Sequence, residues 1–376
     1  MALPALGVLL LLSTSGEAVA AQEAPPAIRT SLTLRPGLHA LWRDDRDGST
    51  DRTHDLRLRF QARALWDAGA HVTVGVRVAG RLSTEQEGLH LYVRDHIPAT
   101  DGIRMGDVTL DELFVQWSPS PRTRLRLGRF QTLFELAGVP RKSLDRNDSP
   151  NTDVTWTDGI AASTELTEGW QGELVLQRNG RQGPTNVLRS PLDVTGSGSR
   201  VSIFSGLRST SPLGALVQRE VGLTWIPGAI PGDGDPYITL VGRMAAQFEG
   251  APWGGRLVVG TEGGFAPNTP TRVQLGTGDS GDGAGDGWAF QLSASLMDFA
   301  EVHSLGMVFS RAGDAWLLSP DIRENNNEIE IRHYWQYASW GRLDTRFRYR
   351  QDMRSRVGAL QRREDSDIYL RTTLRF

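Results

Sequence analysis

The sequence contains no cysteine, and beyond its first 20 residues it has no long apolar run. A membrane-spanning helix needs about 20 consecutive apolar residues, so the sequence is not that of a helical membrane protein. A transmembrane β-barrel is still allowed, because each of its strands is apolar on one face only. The missing cysteines are compatible with an envelope protein held together by its strand ladder rather than by disulfides.

The chain has 376 residues, 42 of them glycine and 11 tryptophan, and a formal net charge of -3. This length would allow two or three soluble domains. It would equally allow one large barrel, at roughly 20–25 residues for each strand and its connection. Composition alone therefore leaves both classes open, and the residue pattern has to decide.

The first residues have the pattern of a secretory signal. A short apolar core covers Leu6–Leu12, and Ala18-Val19-Ala20 matches the small-x-small cleavage pattern. We therefore predict a signal peptide at 1–20 and a mature chain from Ala21. No Lys or Arg precedes the core, so either the signal is atypical or the true start lies upstream. An N-terminal membrane anchor is the alternative, and the core is short for one.

From about residue 29 onward, apolar and polar side chains alternate. Residues 56–64 read LRLRFQARA and residues 72–78 read VTVGVRV. Neighbouring side chains of a strand point to opposite faces, so such strands have one apolar face and one polar, often cationic, face. Asp67-Ala68-Gly69 between them supplies the glycine of a tight hairpin.

Sixteen such stretches are predicted as strands, and their connections alternate between short and long. Short turns at one rim and long loops at the other are typical of an outer-membrane barrel. A soluble β-sandwich or solenoid also alternates, but the signal and the connection lengths favour an all-β, transmembrane, antiparallel up-and-down barrel over residues 21–376. The predicted strands are 29–42, 53–66, 70–82, 107–118, 122–130, 158–167, 170–179, 200–209, 214–226, 236–249, 254–263, 287–298, 301–311, 327–337, 341–351 and 365–376.

Three short motifs resemble those of Gram-negative outer-membrane porins, in particular a group that includes the phosphate-selective-like porins. The alternating last strand ends in the aromatic Phe376. The run 111–117 (DELFVQW) precedes the Gly-Arg-aromatic end of 124–130, and 155–159 (TWTDG) is similar to the return from a long loop. The resemblance implies a 16-stranded barrel, often trimeric, with one loop folded into the lumen. It also implies that the insertion machinery of the outer membrane recognises Phe376.

Arginines dominate the polar face of the first three strands, the fifth strand and the last two. Because closure places the last strand beside the first, most of them are expected on one lumen wall. Arginine on the lipid face would cost about 2–4 kcal/mol at the membrane midplane, so the lumen is favoured. About half are expected to pair with carboxylates such as Glu112, Glu220, Glu328, Glu330 or Asp344. The arginines of this predicted wall are Arg35, Arg57, Arg59, Arg63, Arg77, Arg122, Arg124, Arg126, Arg346, Arg348, Arg350, Arg371 and Arg375.

The longest connection, 131–157, is the candidate for a constriction. Folded inward, its carboxylates would face the arginines across a narrow gap and create a transverse field. The alternative is an exposed surface loop, which is the usual place for such a segment. Its charged residues are Glu135, Arg141, Lys142, Asp145, Arg146, Asp148 and Asp153.

An apolar outer belt for membrane lipid is completed by aromatic residues near strand ends, Trp42, Trp66, Trp117, Trp335 and Tyr337. The pattern predicts passive diffusion of small hydrophilic, preferentially anionic, solutes. A dedicated exporter of an acidic polysaccharide would use the same arginines and stays open as the alternative. A plugged active transporter is disfavoured, since the mature chain has no room for 22 strands and a plug.

No cofactor, metal site, nucleic-acid partner or enzymatic activity is expected. The glycine- and aspartate-rich segment 279–287 fits a solvated loop better than a calcium site, because it occurs once and lacks an EF-hand register. His303 and Ser304, the nearest approach to a nucleophile pair, point to opposite faces of a strand. The seven histidines are scattered at His39, His54, His71, His90, His96, His303 and His333.

Overall fold

Alternating side chains build the whole fold as strands of one closed sheet. The computed structural model describes residues 27–85, 88, 90–92, 107–146, 148, 154–179, 190–194, 197–232, 234–279 and 281–376. The predicted signal peptide, Asp153 and His96 lie outside the described residues. Sixteen strands form the barrel: β1 (Ile28–Asp44), β2 (Thr50–Gly69), β3 (Val72–Ser83), β5 (Asp107–Ser120), β6 (Thr123–Phe130), β7 (Thr157–Thr167), β8 (Trp170–Arg178), β9 (Val201–Ser209), β10 (Leu216–Ile226), β11 (Tyr237–Phe248), β12 (Arg256–Phe265), β13 (Trp288–Phe299), β14 (His303–Ala312), β15 (Asn326–Ala338), β16 (Gly341–Asp352) and β17 (Glu364–Arg375).

Each barrel strand pairs antiparallel with the next, and β1 pairs with β17 to close the ring. The predicted fold class, a closed 16-stranded antiparallel barrel, is confirmed. One further strand, β4 (His90–Tyr92), runs parallel to β5 in a connection that was predicted as loop throughout. Three residues are too few for alternation to be visible in the sequence.

Alternation gives the wall an apolar outside and a polar inside. On β2, Leu56 and Trp66 are exposed outward, whereas Asp55 and Arg59 are buried on the lumen face. Large aromatic side chains are exposed near both ends of the strands, as expected for interfacial belts. At the loop rim these are Trp42, Trp225 and Trp288, and at the turn rim Trp66, Trp117, Trp335, Tyr337 and Trp340.

Helical structure is slight. The described residues contain one α-helix, α1 (Arg272–Leu275), and two 3-10 turns at Ser197–Ser199 and Pro252–Gly254. Thr271 caps α1, because its hydroxyl accepts the backbone N–H of Gln274 while the Gln274 side-chain oxygen accepts the backbone N–H of Thr271. Among the described residues, no helix has the length and apolar character needed to cross a membrane.

Candidate functional site: the barrel lumen

The described part of the connection 131–156 (residues 131–146, 148 and 154–156) follows β6, and its middle lies against the lumen face of the far wall. The Val139 amide donates to the Ser295 hydroxyl on β13 at 2.8 Å, and that hydroxyl donates back to the Val139 carbonyl at 2.8 Å. A Cβ built on Gly306 of β14 would lie 1.6 Å from the Val139 oxygen. Small residues on this part of the wall therefore make room for the loop backbone. We call residues 131–156 the inner loop.

Buried ion pairs fix the inner loop to the wall. The ammonium group of Lys142 lies 2.8 Å from the Glu330 carboxylate and also bonds Glu328, both on β15. Asp145 pairs with Arg243 of β11 at 3.1 Å. These groups are almost fully buried, so each charge depends on its partner for solvation.

A second connection, 313–325, also fills the lumen, and we call it the apolar loop. Trp316, Leu317 and Ile322 are completely buried, and the Trp316 indole donates to the Leu144 carbonyl of the inner loop at 3.0 Å. The alternating strand pattern does not predict that this connection is buried. The run Ala315-Trp316-Leu317-Leu318 in an otherwise polar loop was the signal that could have identified it.

A cavity of about 320 Å³ lies between the apolar loop and the wall formed by β16, β17, β1, β2 and β3. Eight arginines line it, together with His39, Tyr369 and Pro320 of the apolar loop. Across three neighbouring strands, Arg59 is the direct partner of both Arg35 and Arg81. The eight arginines are Arg35, Arg57, Arg59, Arg81, Arg346, Arg348, Arg350 and Arg371.

Four aspartates in the wall pair with five of these arginines. Arg57 binds Asp55 at 2.6 Å, Arg371 binds Asp344 at 2.7 Å and Arg350 lies 3.3 Å from Asp365. Arg348 binds Asp367 at 2.7 Å, and Arg346 bonds the same carboxylate. Arginine is thus the commonest residue type of the cavity lining, and no Asp or Glu of the described residues is among the lining side chains.

The other predicted wall arginines lie elsewhere in the fold. Arg77 and Arg63 both bind Glu112, at 3.0 and 2.9 Å. Arg126 donates to Gln116 at 2.7 Å and lies over the Phe114 ring. Arg124 is exposed on β6 and Arg375 is exposed on β17. Placing Arg122 on the pore wall was wrong: it precedes β6 in a turn, is largely exposed and lies 3.5 Å from Glu165.

The acidic residues of the inner loop do not all face the arginine-lined cavity. The expectation was wrong for Asp145, which is buried against Arg243 on the opposite wall. Asp148 accepts bonds from the amide and hydroxyl of Thr132 inside the loop. Burial raises the pKa of both carboxyls.

Glu135 has a different environment. Its carboxylate lies 4.0 Å from Arg141, whose side chain is largely exposed. Burial, reinforced by the charge of Asp321, raises the pKa of Glu135 to about 7. Glu135 is therefore a loop carboxyl that can change charge near neutral pH.

The described residues of the segment 279–287 form hydrogen bonds within the segment and with the apolar loop. The Asp279 amide donates to Asp282 at 2.7 Å, and the Asp286 amide donates to Asp314 of the apolar loop at 2.6 Å. Within the described part of the chain, no group of three or more His, Asp or Glu side chains is arranged to hold a metal ion. His303 and His333 contact each other at the outer surface, with ring nitrogens 3.1 Å apart.

Comparison with known proteins finds barrels of similar fold among solved structures. No family model and no curated protein matches the sequence. OprB of Pseudomonas putida aligns with a TM-score of 0.60 at 10% identity, over 93% of this chain and 94% of that chain. The chain has the fold of the outer-membrane porins. OccK8 (OprE) of Pseudomonas aeruginosa has a TM-score of 0.54 at 13% identity, covering 93% of this chain and 98% of that one.

OccAB1 of Acinetobacter baumannii has a TM-score of 0.55 at 11% identity, over 93% of this chain and 97% of that chain. At such identities the likeness shows the porin fold and leaves the solute to be argued from the lumen. A closed barrel with an apolar outer band belongs in the bacterial outer membrane, where no backbone edge is left unpaired in lipid.

Proposed function

We propose that this chain is a passive channel for small hydrophilic solutes and that it prefers anions. The observation that carries the proposal is the cavity of about 320 Å³. Eight arginines line it, and none of the described residues that line it is an Asp or a Glu. Guanidinium groups stay charged at all relevant pH values and offer several donors to carboxylate or phosphate. Screening acts over roughly 8 Å at physiological salt, so the nearest charges decide selectivity and the net charge of -3 does not.

The inner loop and the apolar loop are proposed as the constriction. Buried groups bind both loops to the wall: Lys142 pairs with Glu330, and the Tyr237 hydroxyl of β11 donates to the Ala315 carbonyl of the apolar loop at 2.9 Å. These attachments support a fixed narrowing of the lumen. An exporter of an acidic polysaccharide is not proposed, because no observation on the described residues favours it. The phosphate-selective-like subgroup stays a proposal, tested by comparing phosphate with chloride permeability in the same channel.

Bilayer recordings in a salt gradient test the anion preference. The variant Arg57→Gln/Arg59→Gln/Arg81→Gln removes three charges that line the cavity. We expect its reversal potential to move toward the cation side and its anion current to fall several-fold. The matched control, Arg122→Gln/Arg124→Gln, removes exposed arginines outside the cavity and should keep the parent's reversal potential.

Two outcomes would count against the proposal. A parent channel that prefers cations would refute the anion preference while leaving the barrel intact. A folded triple variant with the parent's reversal potential would show that these three arginines do not set selectivity.

A further inference from the structure

Arg311 stands on the outer, lipid-facing surface of the barrel. It is at the loop end of β14, where the outward residues below it are the exposed Met307 and Phe309. Its cross-strand partner is Phe290 of β13, and the exposed Trp288 follows two residues further toward the loop rim. Arg311 is therefore at the height of the aromatic belt, where lipid headgroups begin.

Two arginines of the connection 353–363 lie above it. Arg354 and Arg362 line one cavity of about 400 Å³ together with Arg311, Met353 and Ser355. The ladder between β16 and β17 continues past Gln351 and Glu364, because the Asp352 amide donates to the Arg363 carbonyl at 2.9 Å. Arg362 therefore keeps the outward alternation of its strand.

These three side chains are exposed, and few carboxylates neutralise them. Among the described residues, Arg311 and Arg362 form no ion pair, and Arg354 reaches only Asp314, at 3.9 Å. One carboxylate, Asp286, also lines the cavity, where it accepts the Trp288 amide at 3.2 Å. Three arginines against the carboxylates of Asp286 and Asp314 leave an excess of positive charge at the cavity, with Arg311 and Arg362 outside any ion pair of the described residues.

We propose that Arg311, Arg354 and Arg362 bind the phosphorylated headgroup of a lipid in the outer leaflet. Guanidinium groups bind phosphate oxygens bidentately, and three of them around one cavity match a group with more than one negative charge. The site lies at the loop rim and shares no lining residue with the arginine-lined cavity of the lumen, so it is separate from the proposed solute path. It depends on the membrane placement of the barrel and not on the anion preference of the lumen.

The test uses the purified full chain in detergent and lipid A carrying two phosphates as the probe. Native mass spectrometry counts the lipid that stays bound. We expect the parent to retain it and Arg311→Gln/Arg354→Gln/Arg362→Gln to retain at least tenfold less. The matched control is Arg52→Gln, because Arg52 is a single exposed arginine at the loop end of β2 whose cross-strand neighbour is Trp42.

Retention in the Arg52→Gln control should equal that of the parent, and dephosphorylated lipid A should bind the parent weakly. Single-channel conductance of the triple variant should be unchanged, which shows that the barrel is folded. Equal retention by parent and triple variant would overturn the proposal, as would equal binding of the dephosphorylated lipid. Displacement of lipid A by millimolar inorganic phosphate would assign the site to free phosphate instead.

Discussion

At the scale of single residues, Lys142 attaches the inner loop to the wall through two ion pairs. It brings one cation between two buried carboxylates, Glu328 and Glu330, and is itself almost fully buried. Removing one partner of a buried pair leaves an uncompensated charge, which is far more costly than losing the attraction alone.

We expect Lys142→Met to destabilise the loop attachment by about 3–5 kcal/mol. Fluctuations of the open-channel current should increase, because the loop would leave the wall. The unfolding temperature should fall. The control is Arg141→Gln, since Arg141 is the neighbouring residue and its side chain is largely exposed. A quiet Lys142→Met channel with unchanged thermal stability would show that the pair does not hold the loop.

We expect the charge of Glu135 to make the proposed anion preference depend on pH. Its pKa in the folded chain is about 7 against an ordinary value of 4.5, because burial disfavours the charged carboxylate. The stability that this group contributes is therefore fully present below pH 4.5 and is lost as pH rises through 7. In the channel, ionisation over the same window adds a negative charge to the inner loop.

The anion preference should accordingly fall between pH 5 and pH 8, a range of roughly one to two units on either side of the shifted pKa. Reversal potentials recorded across this range measure it. Glu135→Gln should keep the low-pH selectivity at every pH. A variant that retains the parent's pH dependence would assign the effect to another group.

At the scale of elements, strands β12–β14 show how a wall is adapted to carry a loop. Their lumen faces carry Gly260, Ser293, Ser295 and Gly306, and the inner loop packs on them. A side chain added at Gly306 would collide with the Val139 carbonyl. The glycine is needed here for close approach rather than for an unusual backbone angle.

Gly306→Ala should push the inner loop away from the wall and cost about 1–3 kcal/mol through overpacking. Single-channel conductance should change with it. Gly242→Ala is the control, because a Cβ built on Gly242, in the neighbouring β11, meets no atom within 4 Å. That variant should be neutral or slightly more stable. Equal behaviour of the two variants would show that the loop tolerates the added methyl group.

Sequence pattern predicted the strands well and the inside of the barrel poorly. The stretch 56–64 alternates within β2 itself, so one strand is enough to show both faces. The pairing of Asp145 with Arg243 joins residues 98 positions apart and depends on how the sheet curves. The same holds for Trp316, whose burial needs the inner loop as a partner. Local patterns do not encode such distant contacts.

At the scale of the whole molecule, closure rests on the last residue as well as on β17. The Phe376 amide donates to the Leu32 carbonyl at 2.9 Å, and the Leu32 amide donates back to Phe376 at 2.9 Å. An open edge in lipid would leave backbone groups unpaired. Deleting Phe376 should lower the amount of folded barrel in the outer membrane several-fold, measured against an unchanged amount of secreted precursor. Normal assembly of the truncated chain would refute the role proposed for this residue.

Orientation in the membrane is a second property of the whole barrel. Long connections such as 266–287 share one rim, and short turns such as 121–122 share the other. A tag inserted at Gly283 should be labelled on intact cells, whereas one inserted between Pro121 and Arg122 should not. Labelling of the second tag alone would reverse the assignment of the rims, and labelling of both tags would contradict it.

The partners of the inner loop have a consequence for the order of assembly. The groups that hold it on the far wall, from Gln218 to Glu330, all follow it in the chain. Its attachment joins Lys142 to Glu328, which lie 186 positions apart. The lumen therefore reaches its final width only when the strands up to β15 are in the sheet.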